Sequence, residues 1–162
     1  MTLTAARLRE LLHYDPATGI FIRAKAIAKF GAGETAGALT KLGHIRICVD
    51  GRSYYAHRLA WLYAHGSWPS ENIDHINGNP SDNRLINLRD VSQEMNNQNQ
   101  RRAHSDNPNK VQGVTFVKAK GRFRASITVN YKARFLGYFD TPEEAHERYL
   151  AEKRIHHPGC TI

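Results

Sequence analysis

An α+β fold is predicted by three observations. Residues 43–49 and 52–56 alternate apolar and polar side chains on either side of Asp50-Gly51, the dipeptide of a tight hairpin turn. Residues 122–131 alternate again, with Phe123, Ala125, Ile127, Val129 and Tyr131 on one face and Arg122, Arg124, Ser126, Thr128 and Asn130 on the other. Helical patterns follow both: Leu59, Leu62 and Tyr63 share one side of 57–65, and Ala145 and Tyr149 one side of 142–156. Strands of this kind belong to antiparallel sheets with one face on a helix and one in water.

The first piece is 1–68, a small α/β segment. Leu3, Leu8, Leu11 and Leu12 predict a short amphipathic helix. Asp15-Pro16-Ala17-Thr18-Gly19 is a turn, Ile20-Phe21-Ile22 a strand, and the Gly- and Ala-rich stretch 30–41 a loop. The hairpin about Asp50-Gly51 and the helix 57–65 complete it.

Residues 69–100 are the second piece. Strands are expected at 72–76 and 85–89, with a turn at 78–82 between them. Asp90 and Gln93 have the spacing of a capping box, which starts a helix near Val91. Here lies the chain's most telling chemistry: Asp74 beside His75, then Asn77-Gly78, Asn83, Asn87, Asn96 and Asn97. A carboxylate holds a divalent cation, a neutral imidazole takes a proton from water, and a carboxamide oxygen completes the coordination. Phosphodiester hydrolysis on one metal asks for all three. A calcium loop fails on register, because with Asp74 at position 1 the positions 3 and 5 are Ile76 and Gly78. A zincin helix fails because His146-Glu147 has no second His behind it.

The tract Ile73-Asp74-His75-Ile76-Asn77-Gly78 with Asn83-Arg84-Leu85-Ile86-Asn87-Leu88-Arg89 resembles the core of the HNH endonuclease family, in its His-Asn-Asn branch. It also resembles the homing endonucleases of bacteriophages, free-standing or intron-borne. The resemblance implies a ββα-metal finger at 69–100 clasping one divalent ion, Mg²⁺ or Mn²⁺. It makes His75 the general base, Asp74 a metal ligand, and Asn87 the residue that holds finger and base in orientation. Asn96, favoured by family spacing over Asn97 and Asn99, becomes the second metal ligand. Many family members carry His there; Asn favours a hard cation with oxygen ligands. His57-Arg58-Leu59-Ala60-Trp61 resembles the segment before the finger, and its His57 and Arg58 either contact phosphate or fix the helix against the finger. Arg84 and Arg89 are read as DNA contacts.

Residues 101–111 are a polar linker, in which Arg101 and Arg102 are further candidates for DNA contact. The last piece, 112–157, is expected to be a three-stranded antiparallel sheet packed on one helix. Thr141 caps that helix, with Pro142 at its first position and Glu144 closing the box. Gly113-Val114, residues 121–127 and Phe135-Leu136-Gly137-Tyr138-Phe139-Asp140 resemble the APETALA2-type DNA-binding domain. That resemblance presents Arg122, Arg124, Lys132 and Arg134 to the major groove from the outer sheet face. The alternative is that these side chains only keep the face soluble.

Composition agrees with a polyanionic partner. The 162 residues carry 23 Lys+Arg against 15 Asp+Glu, a formal charge of +8. Such a surplus draws the chain to nucleic acid in a salt-dependent way. Cys48 and Cys160 form no CxxC pair, which argues against a zinc ribbon or a disulfide framework. No apolar run approaches the roughly 20 residues that span a bilayer, and the N-terminus lacks a signal-peptide core. The expectation is a soluble, monomeric protein of the bacterial cytoplasm, phage-encoded, cutting double-stranded DNA to 5′-phosphate and 3′-hydroxyl ends. The alternatives are a non-catalytic DNA-binding regulator and an RNA-binding protein. The second lacks an aromatic RNP signature and a GXXG clamp.

Overall fold

In the computed structural model, which describes residues 2–26, 30–100, 107 and 111–161, Thr4 begins the first helix. Its Oγ1 accepts from Arg7 N at 3.2 Å, one of the N–H groups that a helix start leaves without an internal partner. The helix, α1 (Ala5–Leu11), runs into a hairpin of β1 (Leu12–Asp15) and β2 (Ile20–Arg23), closed at the predicted Asp15–Gly19 turn. The expected 30–41 loop contains a short strand, β3 (Ala38–Leu39), which pairs with β4 (Ile45–Val49). β4 turns into β5 (Arg52–Tyr55) through Asp50 and Gly51, both at positive φ (48° and 74°), as a type I′ turn requires. Helix α2 (Ala56–His65) follows and stops at Gly66, whose φ of 79° returns its N–H to Leu62 O at 3.0 Å.

These elements belong to a unit spanning Met1–Gln93. Its core joins Leu8, Leu11, Leu12, Tyr14, Phe21, Ile47, Val49, Leu59 and Leu62 to Ile73 and Leu88. Burial of each such large side chain is worth about 1.5–3 kcal/mol. Ile73 and Leu88 lie on an antiparallel ribbon of β6 (Asn72–His75) and β7 (Leu88–Val91), paired Asn72↔Val91 through His75↔Leu88.

The second strand therefore starts three residues later than expected. Leu85–Asn87 is a 3₁₀ turn, because its backbone bonds elsewhere: Leu85 N donates to Pro16 O and Asn87 N to Arg84 O. Nor does Asp90 cap the next helix. Its carboxylate accepts from Ser70 N, Ser70 Oγ and Glu71 N, so it fastens the entry of β6 instead. The helix is α3 (Gln93–Gln98), and the division between units falls at its start.

The second unit, Glu94–Ile162, is built on a sheet of order β10-β9-β8: β8 (Val114–Val117), β9 (Arg122–Val129) and β10 (Lys132–Phe139). Helix α4 (Pro142–His156) starts as expected, with Thr141 Oγ1 accepting from Glu144 N at 3.2 Å. Ala125, Ile127 and Val129 are buried with Ala145 and Tyr149 of the helix. Gly113 lies so close to Tyr149 that a Cβ there would stand 2.1 Å from the ring. The third buried residue of α4 is Lys153, whose Nζ donates to Gln100 O at 2.6 Å and to Gln112 Oε1 at 3.1 Å.

Two expectations about this sheet are overturned by its turn. Asn130 and Tyr131 both take positive φ (50° and 61°) and form a two-residue connection, so Tyr131 is exposed rather than on the buried face. That turn sets the phase of β10: Lys132 faces Val129 and Arg134 faces Ile127. Directly opposed residues share a face, so Lys132 and Arg134 lie on the helix side, not beside Arg122 and Arg124. Arg134 Nη1 accordingly meets His156 Nε2 of α4 at 3.3 Å. A bulge between Phe135 and Gly137 then places Tyr138 opposite Arg124 and Phe139 opposite Phe123.

Candidate active site

Asp74 and His75 end β6, and both are almost fully buried, at 7% and 6% exposure. Neighbours along a strand point to opposite faces, so this ribbon is covered on both sides. On the Asp74 side the register places Arg89 directly across. Arg89 donates to Asp74 Oδ2 from Nε at 2.9 Å and from Nη2 at 2.7 Å, a charge-assisted pair. Arg89 is thus a counter-ion of the candidate ligand.

On the other side, Asn83 Oδ1 lies 3.3 Å from His75 Nε2. Asn83 is itself buried, and its Nδ2 donates to Ser81 O at 3.1 Å, which turns Oδ1 toward the ring. The Nε2–H tautomer satisfies this contact and leaves Nδ1 as the basic nitrogen. Burial holds the imidazole below its ordinary pKa, and His44 adds to that; the Asn83 bond, Asp74 and Asp82 oppose it. The ring is therefore neutral near pH 7, the state a general base needs.

Asn87 supports the loop rather than the ring. Its Oδ1 accepts from Asn77 N at 2.9 Å, and its Nδ2 donates to Asp82 O at 2.8 Å. Asn77 Nδ2 also donates to Asp82 Oδ2, and Arg84 pairs with the same carboxylate at 2.6 Å. The Arg84 bonds are the main reason that the Asp82 carboxyl is pushed down to about 2. Sequence reading missed Asn83, since nothing but its distance from His75 separates it from the other asparagines. Its position is set from far upstream: Tyr14 Oη donates to Asn83 O at 2.7 Å, and Gly19 approaches so closely that a Cβ would meet Asn83 C and Arg84 N at 2.5 Å.

Asn96 lies on α3 in the second unit and is half-buried. Of its rivals, Asn99 is buried with Oδ1 accepting from Thr161 Oγ1, and Asn97 is exposed. Carboxylate and carboxamide oxygens, the donors of Asp74 and of Asn96, are hard, a class that suits Mg²⁺ or Mn²⁺ better than a soft metal.

The remaining candidates divide. His57 is buried, and burial first, then His75, His44 and Arg58, lowers its pKa to about 3. Its ring packs against those of Tyr55, His44 and His75. Arg58 donates to Glu71 O and lies over the Trp68 ring, fastening α2 to the approach of β6. Arg101 and Arg102 lie outside the described residues. Arg122 and Arg124 are exposed on the sheet face away from α4, Arg122 bonded to Asp140 and Arg124 over the Phe135 ring. Lys120 lies over Tyr138 on the same face. His44, which the sequence reading passed over, joins His57 and His75: a ligand atom from each lies within 4.8 Å of the others.

A family model described as HNH endonuclease matches residues 54–98, which contain α2, the ribbon and α3. A solved structure described as "DNA binding and cleavage by the HNH homing endonuclease I-HmuI" aligns over 92% of this chain and 88% of that one, at 25% identity and a TM-score of 0.44. No curated protein matches the chain. Among the described residues no helix is long and apolar enough to cross a membrane.

Proposed function

We propose, from the HNH endonuclease match of residues 54–98, that this chain is a metal-dependent endonuclease of the homing type, hydrolysing a phosphodiester bond of duplex DNA. The observation that carries the reading is the buried Asp74-His75 pair, with the ring fixed by Asn83 and the carboxylate by Arg89. A structural core has little use for two adjacent buried ionisable groups on opposite faces of a two-stranded ribbon.

In this reading the basic nitrogen of His75 takes a proton from a water molecule. The water oxygen attacks phosphorus in line, and the bond from phosphorus to the 3′ oxygen breaks. The products are a 5′ phosphate and a 3′ hydroxyl, the latter protonated by solvent. Asn83 accepts from the far side of the ring and steadies the imidazolium, while Asp74 and Asp82 favour its positive charge. A divalent cation held by Asp74 and Asn96 would supply charge stabilisation for the leaving oxygen. The second unit, with its resemblance to the APETALA2 type, serves to hold DNA through Arg122 and Arg124, flanked by Phe135 and Tyr138.

Supercoiled plasmid tests the reading. The purified chain should give nicked or linear product with Mg²⁺ or Mn²⁺ and none in EDTA, and His75→Ala should bind DNA without cutting it. Cleavage that survives both EDTA and His75→Ala would sink the mechanism. Affinity without cleavage under every metal condition would favour a DNA-binding regulator.

A further inference from the structure

Three imidazoles gather beside the proposed base. His44 precedes β4, His57 lies in the first turn of α2, and His75 ends β6. Ring centroids are 5.0 Å apart for His57 and His75, 5.4 Å for His44 and His57, and 6.0 Å for His44 and His75. The Nδ1 atoms of both His44 and His57 are buried and have no hydrogen-bond partner. Leaving one buried polar atom unsatisfied costs about 1–3 kcal/mol, and two orphans in one cluster call for a ligand. Tyr55 stacks on His57 and meets the edge of His44, which holds both rings in place.

We propose that His44, His57 and His75 form a second cation site, separate from the oxygen donors Asp74 and Asn96, that takes a transition metal such as Zn²⁺. All three donors are imidazole nitrogens, a set that suits Zn²⁺, Cu²⁺, Ni²⁺ or Co²⁺ and not Mg²⁺. Three histidines leave a fourth position open, as in catalytic zinc sites. Zinc–nitrogen bonds of about 2.0–2.1 Å require tetrahedral donors to stand roughly 3.4 Å apart. The present limit of 4.8 Å therefore closes by at most about 1.4 Å on loading, within reach of side-chain rotation. Burial already holds His44 and His57 neutral, so their lone pairs need no proton removed. One consequence rests on the proposed function: a metal on His75 occupies the nitrogen that would accept the water proton, so Zn²⁺ inhibits Mg²⁺-supported cleavage.

The test is Co²⁺ titration of the full-length, EDTA-treated and desalted chain at neutral pH, read by visible absorption. One equivalent should raise a ligand-field band of a nitrogen-ligated site, which Zn²⁺ bleaches and excess Mg²⁺ leaves alone. His44→Gln and His57→Gln, made separately and matched to wild type in far-UV circular dichroism, should each weaken binding. The loss should exceed the roughly 10–100-fold that removal of a mere outer-shell partner costs. His44, half-buried on a loop, is the substitution that spares the fold. Asp74→Asn should keep the band. Equal titrations of wild type and both histidine variants, or a band lost with Asp74 rather than with His44, would overturn the proposal. The nuclease reading fails separately: a chain that binds Co²⁺ through these histidines yet never nicks plasmid keeps this site and loses that function.

Discussion

At the level of single side chains, the proposed base is bonded to an amide that the resemblance gives no role. Asn83 Oδ1 is the hydrogen-bond partner of the His75 ring, whereas Asn87 ties the loop between Asn77 and Asp82. His75→Ala should lower the cleavage rate by roughly 10²–10⁴, the contribution of a positioned proton acceptor. Asn83→Ala should slow turnover with substrate affinity unchanged and shift its pH profile, since the bond from Asn83 raises the His75 pKa. Asn83→Asp, which still accepts, should restore part of the rate. Unchanged kinetics in Asn83→Ala would show that the ring is held by something else. The neighbouring rings make the fold sensitive to acid. His57 titrates near 6.5 when unfolded and near 3 when folded, so the unfolded chain binds more protons between these values. Its contribution is intact above about pH 6.5 and lost as pH falls toward 3; His44 and His75, displaced in the same direction by burial, add to the effect. Urea midpoints measured in EDTA should drop steadily over that window, with a shallower slope in His57→Gln. A midpoint independent of pH there would contradict the burial of these rings. His57 and His75 stand out in the sequence, but their grouping with His44 does not, because the three come from distant segments without a ligand-spacing motif.

Among the elements, those whose rules are local read well. Asp50-Gly51 forms the expected turn because few other dipeptides hold two successive positive φ angles, and Thr141-Pro142 starts α4 because capping is decided within one turn. What failed was phase between strands. The alternation of β9 is plain in its own residues, but the face taken by Arg134 depends on the Asn130–Tyr131 turn and the bulge after Phe135, neither of which composition announces. Lys153 is buried although it is charged, and the spacing of Ala145 and Tyr149 already places it on the inner side of α4. The register yields a test. Each lost phosphate contact lowers the slope of log affinity against log salt by about 0.9. Arg124→Ala should show that change, while Arg134→Ala, on the helix side, should leave the slope as it is. The reverse order would restore the face assignment made from the sequence.

Over the whole chain, a net charge of +8 suits a polyanion but does not say which residues meet it. The sequence suggests a clean division of labour, with chemistry in the finger and grip in the C-terminal piece. The contacts within the second unit argue otherwise. Helix α3, which carries Asn96, is fastened to the C-terminal residues: Gly159 N donates to Gln98 Oε1 at 3.0 Å, and Thr161 Oγ1 to Asn99 Oδ1 at 2.6 Å. Lys153 holds the Gln100 carbonyl just beyond it. A six-residue helix has little stability of its own. Ending the chain after residue 109 should therefore raise the Mg²⁺ concentration needed for cleavage as well as weaken DNA binding. Metal titrations of plasmid nicking by the two chains decide this, and an unaltered Mg²⁺ requirement in the short one would show that α3 stands without its C-terminal support.

The bonds from the first hairpin to Asn83 bear on whether this catalytic element is portable. The HNH endonuclease match begins at residue 54, yet Tyr14 and Gly19 shape the loop that presents Asn83, and Ile73 and Leu88 share one core with Leu8, Leu12 and Phe21. A two-stranded ribbon is marginal by itself, and this one takes its hydrophobic cover from upstream. The signature segment is thus an inlay rather than a detachable cassette. Residues 54–98 produced alone, or grafted into another host, should show the flat, broad amide spectrum of an unfolded peptide, whereas 1–100 should give dispersed resonances for the ribbon. A folded 54–98 fragment would mean that the recognisable motif carries its own scaffold, and that the first fifty residues serve some other purpose.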